Sequence, residues 1–249
     1  VVGVSVSIAE VLRASGLRSH VEVVPDGLPA DAEECGWAQI PADRFAPASP
    51  EERGRLRAEL AARWGAAPAG PWVGNLAALV PHKDHDTLLA AALIVSKKRP
   101  DAVFLIAGEG PEEARLIAQI RRLNLEGKAF ILGQVPDPSS LLKSLDVLAH
   151  CSWGEGMGSV LREASAAGLP IAATTAGGIP EVIEDGATGL LCPPRDPEAL
   201  ARNILKLLED KALAQRLGAA ARRALPRWGL GRMAESMEAV YERAEAKAR

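Results

Sequence analysis

The densest chemistry in the sequence lies in Ser152-Trp153-Gly154-Glu155-Gly156-Met157-Gly158-Ser159, which runs into Val160-Leu161-Arg162-Glu163-Ala164. Three glycines at alternate positions let backbone approach a ligand closely, because no Cβ stands in the way. A helix opens directly after them, so the free N–H groups of Gly158, Ser159 and Val160 form a natural anion site. A phosphate is the physical default there, and a tight strand-to-helix turn without a ligand is the plainer alternative. Two carboxylates, Glu155 and Glu163, flank this cradle. Neither should point at a phosphate that repels it. With Glu155 on one side and Glu163 on the other, one turn past Ser159 on the same helix face, each would accept hydrogen bonds from hydroxyls. A ligand with a diphosphate in the middle and a sugar at each end fits this layout: a nucleoside diphosphate sugar.

Holding such a loop requires a strand before it and a helix after it, and the chain supplies this alternation throughout. Val2, Val4 and Val6 alternate as in a strand, a helical stretch runs from Ile8 to Arg18, and Val21 to Val24 reads as a strand stopped by Pro25-Asp26-Gly27. Residues 28–48, rich in Pro, Ala and Asp, read as a linker. Ser49-Pro50-Glu51-Glu52 is a capping box with proline at the first helical position, and Gly65 supplies a stop. Strands are then expected at 72–80, 103–107, 129–132, 146–150, 170–174 and 189–192. Helices are expected at 86–98 and 111–124, from Asp137-Pro138, at 158–167, 179–183 and 196–208, and onward to Arg249 with a break near 226–231. Short apolar strands alternating with amphipathic helices predict an α/β fold, a Rossmann-like, doubly wound parallel sheet. Ligands bind such sheets beyond the carboxyl ends of the strands, so the loops after Leu76, Ala107, Leu132, His150 and Thr174 should carry the site.

The stretch from Gly154-Glu155-Gly156-Met157-Gly158 to Glu163-Ala164-Ser165-Ala166-Ala167-Gly168-Leu169-Pro170 resembles the E-x7-E region of family 4 glycosyltransferases. The similarity continues through Ala176-Gly177-Gly178-Ile179-Pro180-Glu181 and Asp185-Gly186-Ala187-Thr188-Gly189-Leu190-Leu191. It also covers Val73-Gly74-Asn75-Leu76 with Lys83, and Ala107-Gly108-Glu109-Gly110-Pro111, in family order and spacing. The resemblance implies the C-terminal, donor-binding domain of a GT-B enzyme with a remnant of its N-terminal domain. Residues 1–27 would be the tail of that acceptor domain and the hinge, 28–227 the nucleotide-sugar-binding domain, and 228–249 a helix packing back toward the N-terminal side. The implied reaction, of hexosyltransferase type, moves a sugar from a nucleotide-sugar donor to an acceptor hydroxyl, with retention and without a metal. This chain would be the donor-binding half, inactive alone. A glycan, glycolipid or small-molecule acceptor would be held by the N-terminal domain, and membrane association of the parent protein stays open.

The same resemblance assigns residues. Lys83 would meet the donor diphosphate and stabilise charge as the leaving group departs, and Glu155 would hold donor-sugar hydroxyls; these are the two catalytic assignments. The amides of Met157, Gly158, Ser159 and Val160 would meet the sugar and phosphates, with Gly108 and Gly156 also among the binding residues. Glu163 would take the ribose hydroxyls. Gln134 and Val135 would lie near the base, with Leu142 beside them. Two positions depart from the family pattern. Asn75 stands where arginine is usual and offers hydrogen bonds without charge, which leaves Lys83 carrying more of the leaving-group stabilisation. Met157 replaces the usual aromatic.

Composition sets the outer limits. The 249 residues suit one large domain or two small ones, and 48% hydrophobic with 24% charged residues excludes disordered and collagen-like classes. A net charge of −3 argues against nucleic acid as a partner. Leu88 to Val95, the longest apolar run, is too short to span a bilayer. Cys35, Cys151 and Cys192, odd in number and far apart, read as reduced thiols of a cytoplasmic protein. The opening Val1-Val2-Gly3-Val4 has neither methionine nor a basic region, so a signal peptide is not expected and the chain reads as a piece of something longer. His82 and His85 have metal-like spacing but no cluster nearby, and neither metal nor cofactor is expected. His150-Cys151 could suggest a nucleophile pair, yet adjacent strand residues point to opposite faces. Gly108-Glu109-Gly110 lacks the third glycine of a dinucleotide fingerprint, since Glu113 occupies that place.

Three rivals accompany this reading. A non-catalytic nucleotide-sugar-binding module would act only with a partner chain. A hydrolase would use Glu155 and Glu163 as an acid/base pair, against which stand the phosphate cradle between them and an aromatic content of only 4%. A nucleotide-sugar epimerase shares the GT-B form and would need a second domain with its own catalytic acids.

Overall fold

The structure, a computed structural model, describes residues 1–15, 20–27, 44–67 and 69–248. Most of the expected linker (28–43) and Cys35 within it lie outside the described residues.

At the N-terminus, β1 (Val2–Gly3) pairs in parallel with β2 (Glu22–Val23) across α1 (Val6–Ala14). The expected alternation through Val6 stops early because Ser5 caps the helix, its Oγ accepting from the Ile8 amide at 3.1 Å. After α2 (Pro50–Trp64) come β3 (Trp72–Leu76), α3 (His85–Lys98), β4 (Val103–Ala107), α4 (Glu113–Arg122), β5 (Ala129–Gly133), α5 (Pro138–Ser144) and β6 (Val147–His150). There follow α6 (Ser159–Ala166), β7 (Ile171–Thr174), α7 (Ile179–Val182), β8 (Leu190–Cys192), α8 (Pro197–Glu209), α9 (Lys211–Ala224) and α10 (Leu230–Ala248). The strand expected at 72–80 is shorter than predicted. Beyond Leu76 the chain turns through a 3-10 stretch, Pro81–Lys83, which carries Lys83.

β3 to β8 form one six-stranded sheet in the order β5-β4-β3-β6-β7-β8, with every pairing parallel. Parallel strands need helical crossovers, which cover both faces, so these strands are mostly apolar, with Asn75, His150 and Thr174 as polar residues at or near their carboxyl ends. The two-residue period sorts them. Val73, Phe104, Ile106, Val147, Ala149 and Ala172 pack in one core with Leu88, Leu116, Leu200 and Leu217 from α3, α4, α8 and α9. Trp72, Val103, Leu105, Leu148, Ile171 and Ala173 face the other way, onto Ala61, Leu141, Leu161 and Ile179 from α2, α5, α6 and α7. Aspartates cap the helices that enter these layers: Asp137 for α5, Asp196 for α8 and Asp210 for α9, each accepting from a first-turn amide. For α2, Ser49 accepts from the Glu52 amide, but the Glu52 carboxylate pairs with Lys143, so the capping box is closed on one side only.

Candidate functional site

The strand order reverses between β3 and β6, which opens a crevice beyond their carboxyl ends. Asn75 joins these two strands: its amide nitrogen donates to the Ala149 carbonyl at 2.9 Å, and the residue is 1% exposed. Its donor is therefore used inside the sheet, below the crevice. The loops above are stitched together by backbone. The Trp153 amide and the Ser152 hydroxyl both reach the His82 carbonyl, at 3.0 and 2.8 Å, and the Trp153 indole donates to the Pro81 carbonyl. These bonds bring Lys83 from the β3 loop to Glu155 in the β6 loop.

Lys83 Nζ lies 2.5 Å from Glu155 Oε2, and His150 Nε2 lies 2.9 Å from the same oxygen. Burial works to raise the Glu155 pKa, but the hydrogen bonds and charges of His150 and Lys83 outweigh it and hold the group down at about 2. Glu155 is thus an ionised acceptor whose other oxygen, Oε1, has no hydrogen-bond partner among the described residues. Sequence reasoning expected Lys83 and Glu155 on different parts of a ligand; the structure pairs them with each other. His150 was set aside with Cys151. The two do point apart, Cys151 into the first core and His150 toward Glu155. A histidine closing an otherwise apolar strand, on the face of Leu148, was the signal that could have found it.

From Glu155 the chain reaches Gly158, left-handed at φ +68, which starts α6 without a side-chain cap. The amides of Met157, Gly158, Ser159 and Val160 donate no hydrogen bond among the described residues, as the first amides of a helix do unless something arrives to accept them. One turn on, the half-buried Glu163 carboxylate also lacks a hydrogen-bond partner there. Burial raises its pKa, opposed by Arg162 and Arg44. The Met157 side chain turns inward to the second core, where the buried Arg162 guanidinium lies 3.6 Å from its sulfur and 3.8 Å from Asp26. Gly156 and Glu155 rest on the next loop. The Gly178 amide donates to the Glu155 carbonyl at 3.2 Å, and a Cβ on Gly178 would stand 1.9 Å from the Gly156 oxygen. Just beyond, Glu181 accepts from the Val6 and Ser7 amides at 3.0 and 3.2 Å, fastening the first turn of α1 to this face.

The remaining expected residues sit apart. Gly108 gives its amide to the Gly133 carbonyl, and its φ of +145 and a clash of any Cβ with the Ala77 oxygen require glycine. Gln134 is exposed and Val135 half-buried after β5, whereas Leu142 is 1% exposed within the core beneath them. The structure therefore gathers Lys83, Glu155, Gly156, Met157, Gly158, Ser159, Val160 and Glu163, and leaves the side chains of Asn75 and Leu142 inside the fold. A cavity of about 300 Å³ behind the Pro81–Lys83 turn, lined by Asp84, His85, Arg115, Trp153 and Arg195, contains none of the expected residues. His85, buried beside it, is held at a pKa of about 4 by burial and by its neighbour His150. Burial raises the thiol pKa of both Cys151 and Cys192, the latter to about 11. Among the described residues no three His, Cys, Asp or Glu side chains converge to hold a metal ion, and no helix is long and apolar enough to cross a membrane.

A family model described as glycosyl transferases group 1 matches residues 57–224. The N-acetyl-alpha-D-glucosaminyl L-malate synthase of Bacillus anthracis is 37% identical over 137 residues, which cover 55% of this chain and 35% of that protein. A GDP-mannose-dependent monoacylated alpha-(1-6)-phosphatidylinositol monomannoside mannosyltransferase of Corynebacterium glutamicum is 35% identical over 190 residues, 72% of this chain and 48% of its own. The chain spans about half or less of the length of these relatives. Anabaena HepE, solved with UDP-glucose, superposes with a TM-score of 0.83 at 24% identity, over 97% of this chain and 63% of HepE. The C-terminal domain of a group 1 glycosyl transferase, LpcC from Francisella tularensis, does so with a TM-score of 0.65 at 22% identity, over 77% of this chain and 99% of that one. These likenesses show the fold, the Rossmann-like parallel sheet of GT-B glycosyltransferases. With a family model matching more than half its length, the chain belongs to the group 1 glycosyltransferases.

Proposed function

We propose that the chain is the donor-binding half of a retaining, E-x7-E-type glycosyltransferase of family 4, taking a nucleoside diphosphate sugar and passing the sugar to an acceptor hydroxyl. The observation that carries this reading is the convergence, at the ends of β3 and β6, of one cation, one hydrogen-bond-free helix start and two carboxylates. Lys83 and the amides of Met157 to Val160 receive the diphosphate. Glu163 accepts the ribose hydroxyls and Glu155 those of the sugar. Transfer breaks the bond from the anomeric carbon to the diphosphate oxygen, which leaves with the electron pair, and forms one to the acceptor oxygen, whose proton passes to the departing diphosphate. Charge on the departing diphosphate falls to Lys83 and the amides, with no metal assigned.

The domain reading goes with it: 1–27 as the trailing edge of an acceptor domain and hinge, 28–227 as the donor domain, and 228–249 as a returning helix. Two contacts of α10 with the N-terminal segment support the last assignment, Arg243 to Glu22 at 3.3 Å and Met233 Sδ to the Gly27 amide at 3.1 Å. A reducing cytoplasm suits Cys151 and Cys192, which are free buried thiols.

HepE was solved with UDP-glucose and the Corynebacterium relative is named for GDP-mannose, so both bases enter the test. Thermal unfolding with UDP, UDP-glucose, GDP, GDP-mannose and ADP-glucose should show one base stabilising the chain. A ligand at a hundredfold its dissociation constant adds about 2.7 kcal/mol. No stabilisation by any of them at millimolar concentration overturns the reading.

A further inference from the structure

His150 is a polar side chain at the site that this reading leaves without a task. It closes β6, it is 1% exposed, and among the described residues its only side-chain hydrogen bond runs from Nε2 to Glu155 Oε2 at 2.9 Å. Nε2 must carry the proton, because a carboxylate only accepts. Nδ1 is buried without a partner among the described residues. A side chain kept for packing alone would gain nothing from an orphaned polar atom in that place; an apolar one of similar size would fill it without that penalty. The polar ring is accounted for by what its other nitrogen does to Glu155.

Glu155 has two anchors on the same oxygen, and they differ in kind. Lys83 reaches Oε2 from the 3-10 turn after β3 on a long flexible side chain, and it is the cation that a diphosphate would draw away. His150 reaches it from a strand whose backbone pairs with β3 and β7 and whose preceding carbonyl, Ala149, is held by Asn75. Once Lys83 turns to a diphosphate, His150 is the anchor that stays. With Oε2 occupied, Oε1 is the oxygen left to accept from a ligand.

We infer that His150 is a positioning residue for the donor sugar: it pins Oε2 of Glu155 so that Oε1 faces the sugar hydroxyls, and so governs the sugar's share of donor affinity rather than the nucleotide's. This rests on the donor-binding reading above. Sugar discrimination then depends on a residue that touches neither sugar nor phosphate.

The test measures, by titration calorimetry on this chain, the affinity ratio between a nucleotide sugar and its nucleotide, with UDP-glucose/UDP and GDP-mannose/GDP as probes. His150→Leu should lower the ratio about tenfold, equivalent to about 1.4 kcal/mol, while free nucleotide binds within twofold of wild type. His150→Gln, whose amide can donate to the same oxygen, should restore the ratio to within about threefold. Should the leucine variant not fold, His150→Asn, too short to reach Glu155, carries the same expectation as leucine. An unchanged ratio in a folded leucine or asparagine variant overturns the inference. Equal losses in His150→Gln and His150→Leu also overturn it, assigning the effect to the ring's packing. A wild-type chain that binds a nucleotide sugar no tighter than its nucleotide refutes it too, whereas failure to bind any nucleotide refutes the donor-binding reading itself.

Discussion

Gly178→Ala tests whether the loop carrying Glu155 and Gly156 is set by its backbone contact with the loop before α7. The backbone of Gly178 has φ −82 and ψ 4, which alanine adopts without strain, so the substitution probes space alone. An added Cβ would stand 1.9 Å from the Gly156 oxygen and 3.0 Å from the Ser5 Cβ. Ordinary contact needs more than 3 Å, so the two loops must part by over 1 Å, and the 3.2 Å bond from the Gly178 amide to the Glu155 carbonyl goes with them. Overpacking of this sort costs about 1–3 kcal/mol, and the lost hydrogen bond about 1 kcal/mol more. At roughly 2–4 °C per kcal/mol for a chain of this size, Tm should fall by about 4–16 °C. Gly54→Ala is the matched control: Gly54 lies in the exposed middle of α2 with nothing within 4 Å of the new methyl group, so it should stabilise by up to about 1 kcal/mol. The assay is calorimetric unfolding of both variants, followed by nucleotide titration. Displacing Glu155 and Gly156 should weaken nucleotide-sugar binding in Gly178→Ala and leave Gly54→Ala unaffected. A Gly178→Ala chain with wild-type Tm and wild-type affinity would show that the loops are not in contact as described.

Two further outcomes are expected. Burial raises the Glu163 pKa above the ordinary 4.5 and only the ionised form accepts two hydroxyls, so nucleotide affinity should fall as pH drops through that raised pKa. Glu163→Gln should bind more weakly near neutrality and lack that component; identical pH profiles for the two proteins in calorimetric titration would remove Glu163 from the ribose site. Glu181→Gln keeps one acceptor but loses the charge at the first turn of α1, so hydrogen exchange at the Val6 and Ser7 amides should quicken, with about 1 kcal/mol less protection. Unchanged exchange at both would show that Glu181 does not hold this helix.

What the sequence made legible divides along a physical line. Effects confined to a few neighbouring residues could be read directly. The caps at Ser49, Asp137 and Asp196, the stop at Gly65 and the glycine-opened start of α6 all depend on local backbone geometry, and all are present; the further cap at Asp210, which divides α8 from α9, was not expected. The mostly apolar strands implied a sheet covered on both sides for the same reason. Strand ends were less legible: apolar residues continue past Leu76 to Val80, and only the pairing with β4 decides where the ladder stops. Partners distant in sequence were not legible at all. Nothing near Glu181 announces α1, and nothing near Arg162 announces Asp26. Asn75 was offered as a ligand donor by the resemblance, because it stands where arginine is usual, and the neighbouring strand took its hydrogen bond instead.

The Lys83–Glu155 pair bears on how a charged ligand could enter. Two opposite charges half-buried and 2.5 Å apart satisfy each other, so at this site Lys83 is not presented to solvent as an isolated cation. A nucleoside diphosphate, with at least two negative charges against one on the carboxylate, attracts the ammonium at least twice as strongly at equal distance, and the open amides of α6 add to that pull. Moving Lys83 would strip Glu155 of one partner in a site where an unpaired buried charge is expensive. His150 remains on Oε2, and hydroxyls brought by the sugar can take Oε1. A free nucleotide supplies the first half of this exchange and a nucleotide sugar both halves. The extra affinity conferred by a sugar should therefore shrink in Glu155→Ala, while Glu163→Ala weakens nucleotide and nucleotide sugar alike.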